Sequence, residues 1–469
     1  MRNGAEDPGT SEDSAARSHG DSEGGTRDDV VAPHSTGAAP RDRVVHAAPL
    51  VIRCGEADDA DRVAEAVRRS LRAYRAGEPF PPIFPVGPET DPASASAEVA
   101  ALGYPAGTAL LMRTSGSTTG TGKIVAHGWD SVLASGRATA AALRGPGAWT
   151  GHLPLFHIAG FQTIVRSAVA GAPTRMIDAS AESLAAWLRE MADQPHRYVS
   201  LVPTQVIRAL EDPALLRLLA GTTILVGGQA ITPATLRAAR AAGLEVVTSY
   251  GMTETAGGCV YNGRPIGDVQ ISLDAAGRIS LRGSVVARGY LGGMDPDAFL
   301  PTTPRTHVTK DVGRLVGARE SAPVAGAGGS AGVGHAPESL QVVELAGGTE
   351  PGGARLEVLG RVDDAINTRG LTVMPALIEA ALAELGVPDA TVVGVPDAES
   401  GEAVVAVTPG PVDGPALHRA VKARLGAGWA PARFVVRAEL DPAWRDAWPL
   451  TDSGKVDRRQ VAKAARKLG

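Results

Sequence analysis

Four stretches of this chain hold side chains whose types and spacing could act on phosphate and carboxylate groups. The first is Thr114, Ser115, Gly116, Ser117, Thr118, Thr119, Gly120, Thr121, Gly122 and Lys123, directly after an apolar run. Glycines and small hydroxyl residues let backbone N–H groups and hydroxyls wrap a polyphosphate, and Lys123 adds a point charge. Five residues separate Gly116 from Gly122, and Ile124 stands where a P-loop keeps its magnesium-binding hydroxyl, so this is not a Walker A loop. Only six of the 46 basic residues are lysine, so this chain uses arginine where a generic positive charge suffices. A lysine at the end of a glycine-rich loop is then a specific choice of ammonium over guanidinium. Read alone, the segment is also compatible with a plain Ser/Thr/Gly surface loop.

The second stretch is Tyr250-Gly251-Met252-Thr253-Glu254-Thr255. An aromatic ring can stack on a base, a hydroxyl can bond a phosphoryl oxygen, and a carboxylate can hold Mg²⁺; an ordinary strand-to-helix turn would look the same. The third is Gly360-Arg361-Val362-Asp363-Asp364, followed by Gly370 and Pro375. A charged, glycine-flanked joint suits a hinge, and equally a solvated linker. The fourth, Pro449 to Arg458, places Lys455 in a tight Ser-Gly turn from which it could reach a reacting carboxylate; alone, it also reads as a solvated basic end.

The elements that must position these residues alternate. HAAPLVIRC, TALLMRTSG, RYVSL, TTILVGG and LEVVTSYG read as strands, and the segments between them carry helical periodicity or caps, such as Thr232-Pro233 at N-cap and N1. The pattern predicts a large α/β domain whose strands lead into the candidate loops, where such sheets bind ligands. QISLDAAGRISLRG predicts a β-subdomain, and the segment from Arg361 a small α+β unit. The expected organisation is a disordered tail over 1–45, a domain over 46–360 with a flexible Gly-rich insertion at about 318–353 and a possible strand at LQVVEL, and a small domain over 361–469. Net charge is −5 (46 basic, 51 acidic), which argues against nucleic acid or an anionic membrane surface as partner. No apolar run is long enough to span a membrane, and the N-terminus has no apolar signal core. Two distant cysteines, Cys54 and Cys259, fit a reduced, cytoplasmic compartment. Composition leaves a homo-oligomer open.

Taken together, in this order, the four stretches resemble the ANL superfamily of adenylate-forming enzymes: acyl- and aryl-CoA ligases, peptide-synthetase adenylation domains and luciferases. The resemblance runs from about Pro105 to the end. It implies a large α/β domain with a β-subdomain, a small mobile C-terminal domain, and ATP, Mg²⁺, a small-molecule carboxylic acid and coenzyme A as ligands. By resemblance, Thr114 to Lys123 is the pyrophosphate loop, and Gly227-Gly228-Gln229 with Tyr250-Gly251 forms adenine and acyl-pocket walls. Thr253 and Glu254 meet phosphate and magnesium, Asp311 and Arg361 the ribose. Asp363 is the hinge, Lys455 the adenylation lysine, and His157, after Phe156, lies at the thiol channel. The phosphate loop is one residue longer than the usual form, Gly122 replaces its proline, Gly-Gly-Gln-Ala replaces Gly-Gly-Ala-Pro, and Arg369-Gly370 replaces a common Gly-Gly.

The stretches GPGAWTGHLPLFHIAGFQTIVRSAVAGA, VSLVPTQVIRAL and SYGMTETAGGCVYNGRPI are similar to one branch, the 2-succinylbenzoate–CoA ligases of menaquinone biosynthesis. That likeness implies a pocket built from Gln205, Ser249, Gly257 and Gly258; Arg208 is a weaker candidate that reads better as a solvated helix residue. Alternatives are another aryl- or acyl-CoA ligase, a stand-alone adenylation protein, or a catalytically silent nucleotide binder. Retention of Lys123, Glu254, Asp311 and Lys455 argues against the last.

Overall fold

The computed structural model describes residues 43–55, 59–114, 122–178, 180–317, 345–346, 353–450 and 456–468. Most of the expected tail and insertion, the loop from Ser115 to Thr121, and Thr451 to Lys455 lie outside the described residues.

Two sheets form the larger part. In one, β1 (Leu50–Arg53), β2 (Ile83–Val86) and β3 (Leu110–Arg113) run parallel, and β4 (Ile124–His127) pairs antiparallel with β3. In the other, β5 (Ala148–Gly151), β6 (Arg197–Leu201), β7 (Thr223–Val226) and β8 (Glu245–Met252) are parallel, and β9 (Gly257–Tyr261) reverses against β8. The expected parallel α/β layer is therefore present, but each sheet turns antiparallel at the candidate loops.

Helices pack on these sheets for local reasons. In α1 (Asp59–Ala76), Ala60, Val63, Ala64, Val67 and Leu71 recur at helical spacing and are buried, while Asp59 and Arg75 complement the dipole. α2 (Pro92–Leu102) starts at Asp91, whose side chain accepts from Ser94 N. α3 (Trp129–Ala142) and α4 (Ile158–Val169) pack towards β9, and Phe161, Ile164 and Val165 of α4 join the core around α1. Thr232 caps the helix Pro233–Ala241 as its sequence predicts.

A third, antiparallel sheet contains β10 (Gln270–Leu273), β11 (Arg278–Arg282), β12 (Thr306–Val316) and β13 (Arg355–Arg361). Leu345–Ala346 adds to its β10 edge, at the end of the segment expected to hold a strand. At the other terminus, Val44–Val45, within the stretch expected to be tail, pairs with Tyr104–Pro105. The last portion has its own sheet. β14 (Ile366–Thr368), β15 (Leu371–Val373), β16 (Thr391–Asp397), β17 (Gly401–Thr408) and β18 (Arg433–Val436) pack against helices Pro375–Glu384, Gly414–Leu425 and Arg458–Ala465. Among the described residues, no helix is long and apolar enough to cross a membrane.

Candidate active site

The base of the first loop is a closed ladder. Thr114 N donates to Lys123 O at 2.8 Å, and Lys123 N donates to Thr114 Oγ1 at 3.0 Å. Arg113 donates to Gly122 O at 2.9 Å and pairs with Glu98. A Cβ on Gly122 would lie 2.0 Å from Thr114 O, so this backbone requires glycine. Ser115, Gly116, Ser117, Thr118, Thr119 and Gly120 lie outside the described residues, but both ends of their segment are pinned to adjacent antiparallel strands. Lys123 Nζ lies 2.5 Å from Asp295 Oδ2 and 4.4 Å from the Tyr290 ring centroid. The Lys123 hydrogen bond holds the Asp295 carboxyl below the usual carboxylate range.

β8 delivers the second motif. Gly251 sits at a bulge where the register with β9 shifts, and a Cβ there would lie 2.2 Å from Gly257 O. Thr253–Thr255 then form a single 3₁₀ turn, and Ala256, at φ 51°, reverses the chain into β9. His127 Nε2 lies 2.7 Å from Thr253 O; a carbonyl only accepts, so Nε2 carries the proton. Burial pushes the His127 pKa down to about 4, which keeps the imidazole neutral. Glu254 is buried, and its Oε1 accepts from Tyr290 OH at 2.6 Å. Burial raises the Tyr290 phenol above its ordinary range, and the adjacent Glu254 carboxylate raises it further.

On the same strand, Tyr250 OH donates to Asp311 Oδ2 at 2.8 Å. Burial first, then the Asp311 carboxylate, pushes the Tyr250 phenol well up. Asp311 and Arg361 face each other across β12 and β13, with 3.6 Å between Oδ1 and Nη1. Arg361 also lies 3.5 Å from Asp363, which pairs with Lys310 at 3.1 Å. His307 is buried, which lowers its pKa, and it sits within electrostatic reach of Glu254, Asp311 and Asp295. Direct contacts join Lys123, Asp295, Tyr290 and Glu254 in one set and Tyr250, Asp311 and Arg361 in another, and both sets hang on the segment from Tyr250 to Glu254, which makes them one candidate cluster.

Four members of that cluster were not anticipated from sequence: His127, Tyr290, Asp295 and His307. His127, Tyr290 and His307 reach the site on antiparallel strands and Asp295 from the turn that follows Gly293, and no local spacing announces any of them. The available signal was the isolated aromatic-after-glycine at Gly289-Tyr290 and Asp295, two positions after Gly292-Gly293.

Of the acid-pocket candidates, Ser249 precedes Tyr250 on β8, and Gly257 and Gly258 of β9 pair with Met252 and Gly251. A Cβ on Gly227 would lie 3.3 Å from Ser249 O, and Gly228 has φ 80°. Ser249 Oγ fills the space over Gly258, 2.1 Å from where a Cβ would stand. His157 caps the start of α4, its ring tilted on Phe156 at 4.7 Å. Gln205 is used locally: Oε1 accepts from Val202 N at 2.9 Å and Nε2 donates to His152 O at 3.1 Å. Arg208 is exposed, in keeping with a solvated helix residue. Lys455 lies outside the described residues; on either side of its segment, Leu450 bridges Val456 and Asp457 N donates to Pro449 O. Arg369 has φ 50°, so it occupies a left-handed position that glycine would favour.

Residues 43–291 match the family model described as AMP-binding enzyme. A probable 2-succinylbenzoate–CoA ligase of Mycobacterium tuberculosis is 35% identical over 362 residues, covering 76% of this chain and 84% of that protein. A 2-succinylbenzoate–CoA ligase of Enterococcus faecalis is 27% identical over 64% of this chain and 59% of that one. Among solved structures, the o-succinylbenzoate CoA synthetase of Bacillus subtilis in complex with ATP and magnesium ion superposes with TM-score 0.61, at 21% identity over 89% of each chain. ATP-bound MatB of Rhodopseudomonas palustris superposes at 0.64, with 19% identity over 90% of each. The structural likeness establishes the adenylate-forming fold, and the sequence matches carry the relationship further. The chain belongs to the AMP-binding enzyme family.

Proposed function

We propose that this protein is an acid–CoA ligase that adenylates 2-succinylbenzoate with ATP and transfers the acyl group to coenzyme A, as a step of menaquinone biosynthesis. The observation that carries the reading is the end of β8. Within five residues, Tyr250 to Glu254 brings the Asp311–Arg361 pair, the Glu254 carboxylate and the Lys123 ammonium to one place.

In this reading, Asp311 accepts the ribose hydroxyls with Arg361 beside it, and Gly228, Tyr250 and Gly251 wall the adenine and acyl group. Lys123 and the loop from Thr114 hold the pyrophosphate. Among the described residues, no three His, Cys, Asp or Glu side chains gather as a protein-only metal site. A single buried carboxylate nevertheless suits magnesium, which is commonly held by one or two carboxylates plus substrate phosphates. Glu254 would hold the ion, with Tyr290 fixing its Oε1, and the ion would neutralise phosphate charge. Thr253 is oriented towards phosphate by the His127 bond to its carbonyl. Lys455 stabilises the attacking carboxylate and the charge developing on the α-phosphate. The acyl group lies along Ser249, Gly257 and Gly258, and Gln205 supports the pocket by fixing the loop at His152. His157 borders the thiol path. The segment from 361 acts as a mobile domain that turns at Asp363 between the two half-reactions.

The test is an acid panel with ATP and CoA, assayed for AMP, pyrophosphate and thioester. AMP, pyrophosphate and 2-succinylbenzoyl-CoA are expected. Acid-dependent ADP would overturn the chemistry; thioester formed only with another aryl or acyl acid would overturn the substrate.

A further inference from the structure

Asp295 has φ 50° and ψ 64°, a left-handed backbone that an L-residue holds only where its surroundings enforce it. It precedes the short 3₁₀ turn Pro296–Ala298, yet its side chain makes no capping bond to that turn. The carboxylate is instead directed at Lys123, 172 positions away in sequence, with 2.5 Å between Oδ2 and Nζ. The Lys123 hydrogen bond keeps the Asp295 carboxyl ionised at neutral pH. Both side chains are partly exposed, 28% for Lys123 and 34% for Asp295, so an anion from solvent can reach the pair.

The ammonium has a second support. It lies 4.4 Å from the Tyr290 ring centroid, and that ring is anchored by its hydroxyl bond to Glu254 and edge-on against Phe299. The Tyr290 face is neutral and would hold Lys123 in place whichever anion the ammonium meets. The Asp295 contact is of another kind. A carboxylate and a phosphate brought to one ammonium repel each other, so each weakens the other's hold. A contact that binds ATP and pyrophosphate equally well also keeps the product on the enzyme. An anion that competes for the same ammonium lowers both affinities.

We propose that Asp295 is an exchange partner for Lys123. It occupies the ammonium while the phosphate site is empty, yields it to the polyphosphate of ATP, and takes it back as pyrophosphate leaves. Asp295 is thus a positioning residue that acts through Lys123 and speeds product release. The inference rests on the ligase reading, in which Lys123 meets the pyrophosphate part of ATP.

The test is calorimetric binding of pyrophosphate and of ATP, without acid so that nothing turns over. The full chain, Asp295→Asn, Lys123→Met and the double variant are compared, with thermal unfolding as the folding control. Asparagine suits the left-handed backbone and keeps the side-chain volume. Asp295→Asn should tighten both ligands about fivefold, the upper end for a partly exposed ion pair. Pyrophosphate should then inhibit acid-dependent AMP formation at a correspondingly lower concentration. In the Lys123→Met background the same change should have little effect. Unchanged or weaker binding in Asp295→Asn overturns the inference. Equal tightening in both backgrounds also overturns it, because the carboxylate would then act only by repelling phosphate from a distance. If Asp295→Asn does not fold, Asp295→Gly, which tolerates the same backbone, is read in its place. If Lys123→Met binds too weakly to measure, a crystal structure with pyrophosphate decides. Lys123 Nζ on the anion and away from Asp295 upholds the exchange, and an intact pair overturns it. A wild type that binds neither ATP nor pyrophosphate sinks the ligase reading and the exchange together, whereas one that binds both with Asp295→Asn unaltered sinks the exchange alone.

Discussion

Lys123 is matched to Asp295 and to the face of Tyr290, so a phosphate reaching it exchanges one anionic partner for another. Tyr290 also holds Glu254, and Tyr290→Phe leaves that buried carboxylate without its hydroxyl donor. The variant should lose about 1–3 kcal/mol of stability, measured by urea unfolding, and need more magnesium for half-maximal activity. His127 reports on pH. Its folded pKa is depressed to about 4 by burial, whereas the unfolded residue titrates near its ordinary value of 6.5. Between these values the unfolded state binds the extra proton, so stability is full above the unfolded value and falls as pH drops towards 4. The loss attributable to this group is on the order of 3 kcal/mol. His127→Asn should show a shallower decline than the wild type from pH 7 to pH 5 in urea melts; an identical decline would place the titration elsewhere. Lys455→Ala should slow adenylation by roughly two orders of magnitude or more, the range for loss of one preorganised electrostatic group. It should still form thioester from supplied acyl-adenylate. Equal loss in both half-reactions would remove the role assigned to it.

At the scale of elements, the end of β8 depends on glycine at a contact too close for any Cβ. Gly251→Ala would drive a methyl into Gly257 O across the bulge and part β8 from β9. Its expected effect is a large rise in KM for both ATP and acid, because Tyr250 and Gly257 move together; unchanged kinetics would show that the strands yield without consequence. The strands leading to the site were legible because each is a short apolar run ending in small or turn-forming residues. β4 was not read as a strand, because Ile124 to His127 looks like the far side of a loop until β3 pairs with it. Tyr290 and His307 were invisible for the same reason: their partners are distant in sequence, and antiparallel register follows from pairing, not from local pattern; Asp295 lies in a turn, and its partner Lys123 is equally distant in sequence. The hairpin from Ile366 to Val373 was missed because its exposed face is polar and its turn carries Arg369 in the left-handed region in place of a second glycine.

For the whole molecule, the proposed joint is the 3₁₀ turn Val362–Asp364, which links β13 of the third sheet to β14 of the last one. Asp363 is tethered there by Lys310 and Arg361. If the C-terminal part turns at this residue, Asp363→Pro fixes φ near −65° and removes a backbone N–H. Adenylation should then persist or fall modestly, while thioester formation collapses in single-turnover kinetics of each step. Equal loss in both would indicate a folding defect, and no loss a pivot elsewhere.

Both cysteines of the chain are buried, and burial pushes each thiol up to about 12. Neither offers a thiolate near neutral pH. The surface is therefore chemically silent to maleimides, and a cysteine introduced on each side of the Val362–Asp364 turn would carry a dye pair without competing labels. The rotation inferred from kinetics becomes a distance that single-molecule fluorescence can follow through successive turnovers.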